Sequence, residues 1–228
     1  MTRYIEGDIH DVIQTLDTNS IDFIYTDPSF GTTKAKWDKG LNWETLFPEM
    51  WRVLKPNGVI CLYASMPFTY ELLRYETPRY HYSWCKNIST GFLNAKHQPL
   101  RCMEEIFIYY KKRGTYNPQM EGTEFHKKRL VKYGSKENSY WGESHKKGED
   151  TKKGGHKGRY PKTFKNWSIR KDKTGITRTD EQIDYFIKTY SNEKDTILDM
   201  TAHCKYVGDR CKLLNRNYIG VDLDFKCL

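Results

Sequence analysis

No stretch of this chain is apolar for long enough to cross a bilayer, and no secretory leader is visible. These absences predict a soluble, intracellular protein with no membrane partner. Paired cysteines are equally missing. The six present, Cys61, Cys85, Cys102, Cys204, Cys211 and Cys227, are scattered, form no Cys-x-x-Cys spacing and fall in several apolar runs. They read as reduced core residues, not as a zinc site or a disulfide framework. His203-Cys204 has no second ligand cluster at suitable spacing, so no metal is expected. Between residues 111 and 173 aliphatic side chains are scarce, replaced by Lys, Gly, His, Ser and Tyr. Such a segment cannot bury much apolar surface alone. It is expected to be a long, basic, partly mobile insertion within a single domain covering 1–228.

What is plentiful is positive charge and aromatic surface. The net charge is +9, with 17 Tyr and 6 Trp in 228 residues, a combination suited to a partner that offers phosphates and stackable bases. In the basic segment Lys127, Lys128, Arg129, Lys132, Tyr133, Tyr140 and Trp141 interleave bases with rings. Phosphate contact and base stacking explain that pattern, and a solvated linker explains it equally well for any single residue.

Elsewhere strands and helices alternate. Apolar runs at 21–25, 59–63 and 105–110 read as strands, with shorter ones at 4–5, 80–86, 196–198 and 218–221. Helical spacing recurs at Ile9, Val12, Ile13 and Leu16, at Leu46, Met50, Val53 and Leu54, and at Ile183, Phe186 and Ile187, with further helices at 69–73 and through Cys211. Lys55-Pro56-Asn57-Gly58 reads as a helix stop. The unbroken apolarity of 59–63 fits a parallel strand buried on both faces, so the chain is expected to be a three-layer α/β domain.

Two stretches carry chemistry. The first, Asp27-Pro28-Ser29-Phe30, closes the strand at 21–25. Four such residues suffice for an ordinary Asp-Pro turn. They also suit a pocket for a flat ring, the carboxylate accepting from an exocyclic amine and the aromatic stacking, as in enzymes that draw a base out of a duplex. The second is strand, loop, helix, strand and acid from Thr196 to Asp222, with Asp199 at the first strand end. That is a half-Rossmann unit suited to an adenosyl cofactor, with the terminal acid on the ribose.

Together with Leu54-Lys55-Pro56-Asn57-Gly58, Thr90-Gly91-Phe92-Leu93-Asn94-Ala95-Lys96, Thr115-Tyr116-Asn117-Pro118-Gln119 and Leu214-Asn215-Arg216-Asn217-Tyr218, these stretches resemble the amino-group DNA methyltransferases. The resemblance is to the phage-type adenine-N6 branch, in which the catalytic motif precedes the cofactor motif. It implies a Rossmann-like methyltransferase fold with a mostly parallel twisted sheet. It also implies S-adenosylmethionine as cofactor, double-stranded DNA as substrate, and methyl transfer to a flipped base. Asp27, Pro28, Ser29 and Phe30 correspond to the family's Asp-Pro-Pro-Tyr. Asp199, Thr201, Ala202, His203, Asp222 and Arg178 fall at cofactor-binding positions, and Lys34, Lys36, Trp37, Lys96, Arg101, Lys127, Lys128 and Arg129 are expected to face nucleic acid. Where the family has a Gly-Ser-Gly loop after Asp199, this chain has His203 and Lys205 in place of the two glycines, and Thr174-Gly175-Ile176-Thr177-Arg178-Thr179 replaces His-Pro-Thr-Gln-Lys-Pro. An active enzyme is one reading; a DNA-binding relative without the cofactor, acting beside a partner subunit, is the other. The chain stops at Leu228, soon after Asp222, so a closing helix usual in the family is expected to be missing or supplied by a partner. A homodimer or heteromer is thus left open, and a bacterial or phage origin fits.

Overall fold

A computed structural model describes residues 1–35, 38–127, 155–172 and 175–225. In chain order the elements are β1 (Thr2–Glu6), α1 (Ile9–Val12), β2 (Ile21–Thr26), α2 (Trp43–Val53), β3 (Leu54–Ala64), α3 (Phe68–Tyr75), β4 (Tyr80–Thr90) and β5 (Arg101–Tyr109). Then come β6 (Glu121–Lys127), β7 (Gly155–Arg159), β8 (Phe164–Trp167), β9 (Ile169–Asp172), β10 (Gly175–Arg178), α4 (Asp180–Tyr190), β11 (Thr196–Asp199), α5 (Tyr206–Leu213) and β12 (Asn217–Asp222). Eight strands form one sheet in the order β1-β12-β11-β2-β3-β5-β4-β8. Pairing is parallel except where β5 lies antiparallel to both β3 and β4.

The continuous apolarity of β2 and β3 follows from burial on both faces. On one face Ile24, Ile60 and Leu62 meet Ile9, Val12, Trp43, Leu46, Phe47 and Met50 of α1 and α2. On the other, Phe23, Tyr25, Cys61 and Tyr63 meet Ile183, Phe186, Ile187 and Tyr190 of α4 and Val207 and Cys211 of α5. This second layer is unusually aromatic. Its hydroxyls pair with one another, Tyr80 and Tyr82 each lying within 2.9 Å of the Tyr190 hydroxyl and Tyr25 donating to Tyr63 at 3.1 Å. These pairs satisfy the buried hydroxyls of Tyr25, Tyr63, Tyr82 and Tyr190.

Three differences from the sequence reading have physical causes. The strand expected to begin at Val59 begins at Leu54, which the helical spacing assigns to the preceding helix: Ile21 pairs with Leu54 and Phe23 with Val59, so the sheet absorbs Lys55-Pro56-Asn57-Gly58 as an irregularity. Lys55 bridges both carboxylate oxygens of Asp22 at 2.8 Å, tying the irregular stretch to β2. The strand expected at 105–110 starts at Arg101, and its polar first half lies over the site described below. Finally, β8 lies within the stretch expected to be an insertion, yet it joins the main sheet beside β4. It buries Lys165 and Trp167 in alternation, Trp84 donating its indole N–H to the Trp167 carbonyl at 2.8 Å and the Lys165 ammonium resting on the Tyr185 ring. A strand that packs through rings and a lysine stem lacks the aliphatic pattern that identifies a core strand.

Residues Met1–Asn117 and Lys162–Leu228 form one compact unit and Pro118–Pro161 another. The second contains the antiparallel pair of β6 and β7. Among the described residues no helix is long and apolar enough to cross a membrane, and no cluster of three metal-ligating side chains occurs. Cys61, Cys85, Cys102, Cys204 and Cys211 are all free thiols. The architecture is α/β and Rossmann-like: the chain steps from β11 to β12 on one side and from β2 to β3 on the other, so the strand order reverses between β11 and β2. Ligands of such sheets bind at the carboxyl ends of the strands flanking that reversal.

Candidate active site

Three neighbouring strands deliver a carboxylate at this edge. Asp222 ends β12, Asp199 ends β11 and Asp27 follows the last residue of β2. The Thr26 and Thr201 hydroxyls meet at 3.1 Å and join the two central loops.

Asp27 heads a line of alternating charges. Its Oδ1 accepts from Arg178 Nη2 at 2.6 Å. The same nitrogen lies 3.0 Å from Glu104 Oε2, and Glu104 Oε1 accepts from Lys86 Nζ at 2.7 Å. The guanidinium sits in the corner formed by the rings of Tyr63 and Trp84, 4.5 and 4.6 Å from their centroids, the two rings standing edge to face at 87°. These charged groups come from β10, β5, β4 and the end of β2. Burial pushes the Asp27 carboxyl above its usual range, Glu104 adding to the rise while Arg178 and Lys86 oppose it. For Arg178 burial works against the charge, but Asp27 and Glu104 outweigh it and hold the guanidinium firmly protonated.

The rest of the tetrad is fixed by its own loop. Pro28 is buried, and the Ser29 hydroxyl donates to the Lys39 carbonyl at 2.7 Å. Phe30, half-buried, stacks on Phe68 with centroids 5.3 Å apart and planes 20° from parallel. Asp38 pins the loop, accepting from the Gly31 and Thr33 amides at 2.7 and 2.6 Å. Burial alone would raise the Asp38 carboxyl, but the Thr33 hydroxyl and the amides of 31–33 hold it below its ordinary value.

The loop after β11 runs between the other two acids. Asp199, 2% exposed, accepts from the Thr201 amide at 3.2 Å and the Tyr218 hydroxyl at 3.1 Å. Burial pushes it up to about 7, those two bonds opposing and the charges of Asp27 and Asp222 adding. The Ala202 amide donates to the Val221 carbonyl at 2.9 Å. The amides of His203 and Asp224 donate to the two oxygens of Asp222, at 2.8 and 3.1 Å. His203 has φ +39°, the left-handed conformation for which glycine is suited, whereas Lys205 has φ −75° and needs no glycine. Lys205 lines a pocket of about 640 Å³ with Tyr4, Lys194, Asp209 and Lys212. Gly220 of β12 is required beneath this loop, because a β-carbon there would stand 2.9 Å from Cβ of Ala202 and 2.6 Å from the Tyr218 hydroxyl.

The structure thus brings Asp27 to Phe30, Asp199, Thr201, Ala202, His203 and Asp222 to one edge, and places Arg178 on Asp27. Among the expected nucleic-acid residues, Lys34 is exposed in the loop after the tetrad. Lys96 is exposed on the β4–β5 connection and Arg101 at the start of β5, both at the same carboxyl edge because β5 returns antiparallel to β3. Lys127 closes β6; Lys36, Trp37, Lys128 and Arg129 lie outside the described residues. Sequence reasoning missed Lys86, Glu104, Tyr63, Trp84, Phe68 and Asp38. Lys86 and Glu104 lie among other polar residues of β4 and β5, so no local signal marked them.

A family profile described as DNA methylase matches residues 21–227. The chain is 25% identical over 233 residues to the type II methyltransferase M.HpaI of Haemophilus parainfluenzae, covering 93% of this chain and 67% of that protein. Solved structures with the same fold include the M1.HpyAVI complex with S-adenosylmethionine (TM-score 0.58, 17% identity, 98% of this chain and 93% of that one). The cytosine-N4-specific PvuII DNA methyltransferase is also similar (TM-score 0.63, 12% identity, 98% and 82%). So is the putative DNA modification methylase TTHA0409 of Thermus thermophilus complexed with S-adenosyl-L-methionine (TM-score 0.57, 15% identity, 98% and 90%). With the tetrad at the end of β2, the acidic strand ends and the reversal in strand order already in place, the match over residues 21–227 means that this chain belongs to the DNA methylase family of N6- and N4-amino methyltransferases.

Proposed function

We propose that the chain transfers a methyl group from S-adenosylmethionine to the N6 amine of an adenine flipped out of duplex DNA. The observation that carries this reading is the seat of Asp27-Pro28-Ser29-Phe30 at the end of β2, directly beside the loop that follows β11. An amine acceptor and an adenosyl-type loop then share one edge.

The residues at that edge suit the cofactor. Three carboxylates on adjacent strand ends, one of them raised to about 7 partly by the other two, make a field that favours a cation. Asp222 would hold the ribose hydroxyls: its two amide bonds fix its orientation, and a carboxylate has acceptor sites to spare. Thr201 and Ala202, held close by Gly220, would border the adenosyl group. When bound, S-adenosylmethionine supplies an electrophilic methyl on a sulfonium. The chain's own part is to make the amine nucleophilic. An aromatic amine conjugates its lone pair into the ring. Accepting its hydrogens at Asp27 and at the Pro28 carbonyl turns the pair out of conjugation, while Phe30 stacks on the base. Lys34, Lys96 and Arg101 would take phosphates on either side.

A specific observation favours a second reading, a DNA-binding relative without the cofactor: His203 carries a β-carbon at φ +39° where the family uses glycine. Calorimetric titration with S-adenosylmethionine separates the two. Saturable binding, labelled methyl in duplex DNA and loss of transfer in Asp27→Ala with cofactor binding retained support the enzyme. A folded protein that takes up no cofactor at millimolar concentration while still binding DNA supports the relative.

A further inference from the structure

We propose that Arg178, Glu104 and Lys86 form a positioning relay for Asp27, in which Arg178 holds one carboxylate oxygen so that the other is presented to the amine. This rests on the methyl-transfer reading. Arg178 takes Oδ1 alone, and Asp27 needs one oxygen for the base and one for its anchor. The anchor is itself fixed. The guanidinium packs against both Tyr63 and Trp84, two fully buried rings that meet edge to face, and Glu104 braces it with Lys86 behind. Arg178 and Glu104 are only 11% and 10% exposed, and Arg178 Nε has no hydrogen-bond partner among the described residues.

Arg178, Glu104 and Lys86 are buried while the Asp27 side chain stays 32% exposed, and burying charges in this way stabilises little, because desolvation offsets most of the Coulombic attraction. Packing therefore does not explain the arrangement. Holding a reacting carboxylate does. Salt-bridged from one side only, Asp27 has a fixed plane and a fixed free edge, the kind of preorganisation that lowers reorganisation during reaction. Glu104 moderates Arg178: without its second carboxylate the guanidinium would bind Asp27 more tightly and compete with the amine.

The titratable and charged groups around Asp27 are Arg178 of β10, Glu104 of β5, Lys86 of β4, Asp199 of β11, Tyr25 of β2, and Cys61 and Tyr63 of β3. Removing Arg178 and removing Glu104 must therefore shift the acidity of Asp27 in opposite directions. A structural ion pair would shift the acidity in the same way, so the relay is separated from it by kcat, which falls only if the held carboxylate serves the reaction.

The test follows the ¹³C signal of the Asp27 carboxyl by NMR during pH titration of the full chain, in the wild type and in Arg178→Met, Arg178→Lys and Glu104→Gln, with circular dichroism to verify folding. Arg178→Met is expected to move the midpoint up by about one pH unit or more, Arg178→Lys to stay nearer the wild type, and Glu104→Gln to move it down. In methyl transfer, Arg178→Met is expected to lower kcat roughly a hundredfold with KM for S-adenosylmethionine unchanged, and its acid limb should follow the NMR midpoint. Glu104→Gln shifts of the same sign as Arg178→Met, or midpoints unchanged in folded variants, overturn the relay. A rise in the cofactor's Kd in Arg178→Met with the Asp27 midpoint unmoved also overturns it and assigns Arg178 to the cofactor. If the wild type transfers no methyl, the enzymatic reading fails, and the titration still decides whether the relay sets the acidity of Asp27.

Discussion

Replacing Asp199 by Asn should make the protein more stable in a strongly pH-dependent way. The carboxyl is 2% exposed and is raised from 3.8 to about 7 by burial, with Asp27 and Asp222 adding to the effect. A group whose folded pKa lies above its unfolded one binds its proton more tightly in the native state, so the unfolded chain releases that proton first. Stability then falls as pH rises from about 4 to about 7 and levels off above that. The gap corresponds to about 4 kcal/mol. Asparagine fits the same space without a charge: its oxygen can accept from the Thr201 amide, and its amide can donate to the Tyr218 hydroxyl, whose proton rotates away. Urea denaturation of both proteins across this range measures the difference directly. The stability gained by Asp199→Asn should be small at about pH 4 and grow by about 4 kcal/mol toward about pH 8, discounted by relaxation around the site. A gain independent of pH, or a loss that deepens with rising pH, would show that Asp199 is ionised in the native state and would refute the reasoning.

Other perturbations address the neighbouring loops. His203→Gly removes a β-carbon from a left-handed position and should raise stability by about 1 kcal/mol, read by chemical denaturation. A destabilised variant would mean that the histidine ring packs usefully where it stands. Asp38→Ala strips the bonds to the Gly31 and Thr33 amides, with an expected cost of about 1 to 3 kcal/mol. Because the Asp38 carboxyl is held below its ordinary value, that cost should be full above about pH 4 and fade as acid protonates the wild-type group. Gly220→Val forces a side chain against Ala202 and Tyr218 and should weaken S-adenosylmethionine binding by about tenfold or more in calorimetry. Unchanged affinity would detach the Ala202 loop from the cofactor.

The sheet was legible where burial leaves its mark on local pattern. The runs at 21–25 and 59–63 sit in strands buried on both faces, and the helical spacing of Leu46, Met50 and Val53 lies on a helix with one covered side. The strand β8 was not legible, since it packs through Lys165 and Trp167 and owes its place to β4. Half of the site could be read because Asp27, Asp199 and Asp222 follow directly from strand ends. The other half depends on contacts between Asp27, Lys86, Glu104 and Arg178, which come together only when four separate strands take their places. No local spacing announces an ion pair 151 residues apart in the chain. His203 was visible as a departure from the family's glycine, and the structure adds that its backbone keeps the glycine-like conformation while Lys205 does not require it.

The central claim is an Asp27-dependent transfer of methyl to an adenine amine, and the direct measurement is isotope-labelled methyl transfer into duplex DNA followed by nucleoside digestion and mass spectrometry. The account predicts labelled N6-methyldeoxyadenosine from the wild type and none from Asp27→Ala, with cofactor binding retained in the variant. Label in N4-methyldeoxycytidine would contradict the assigned base. Transfer undiminished in Asp27→Ala, or no labelled base at all from a folded, DNA-binding protein, would contradict the mechanism itself.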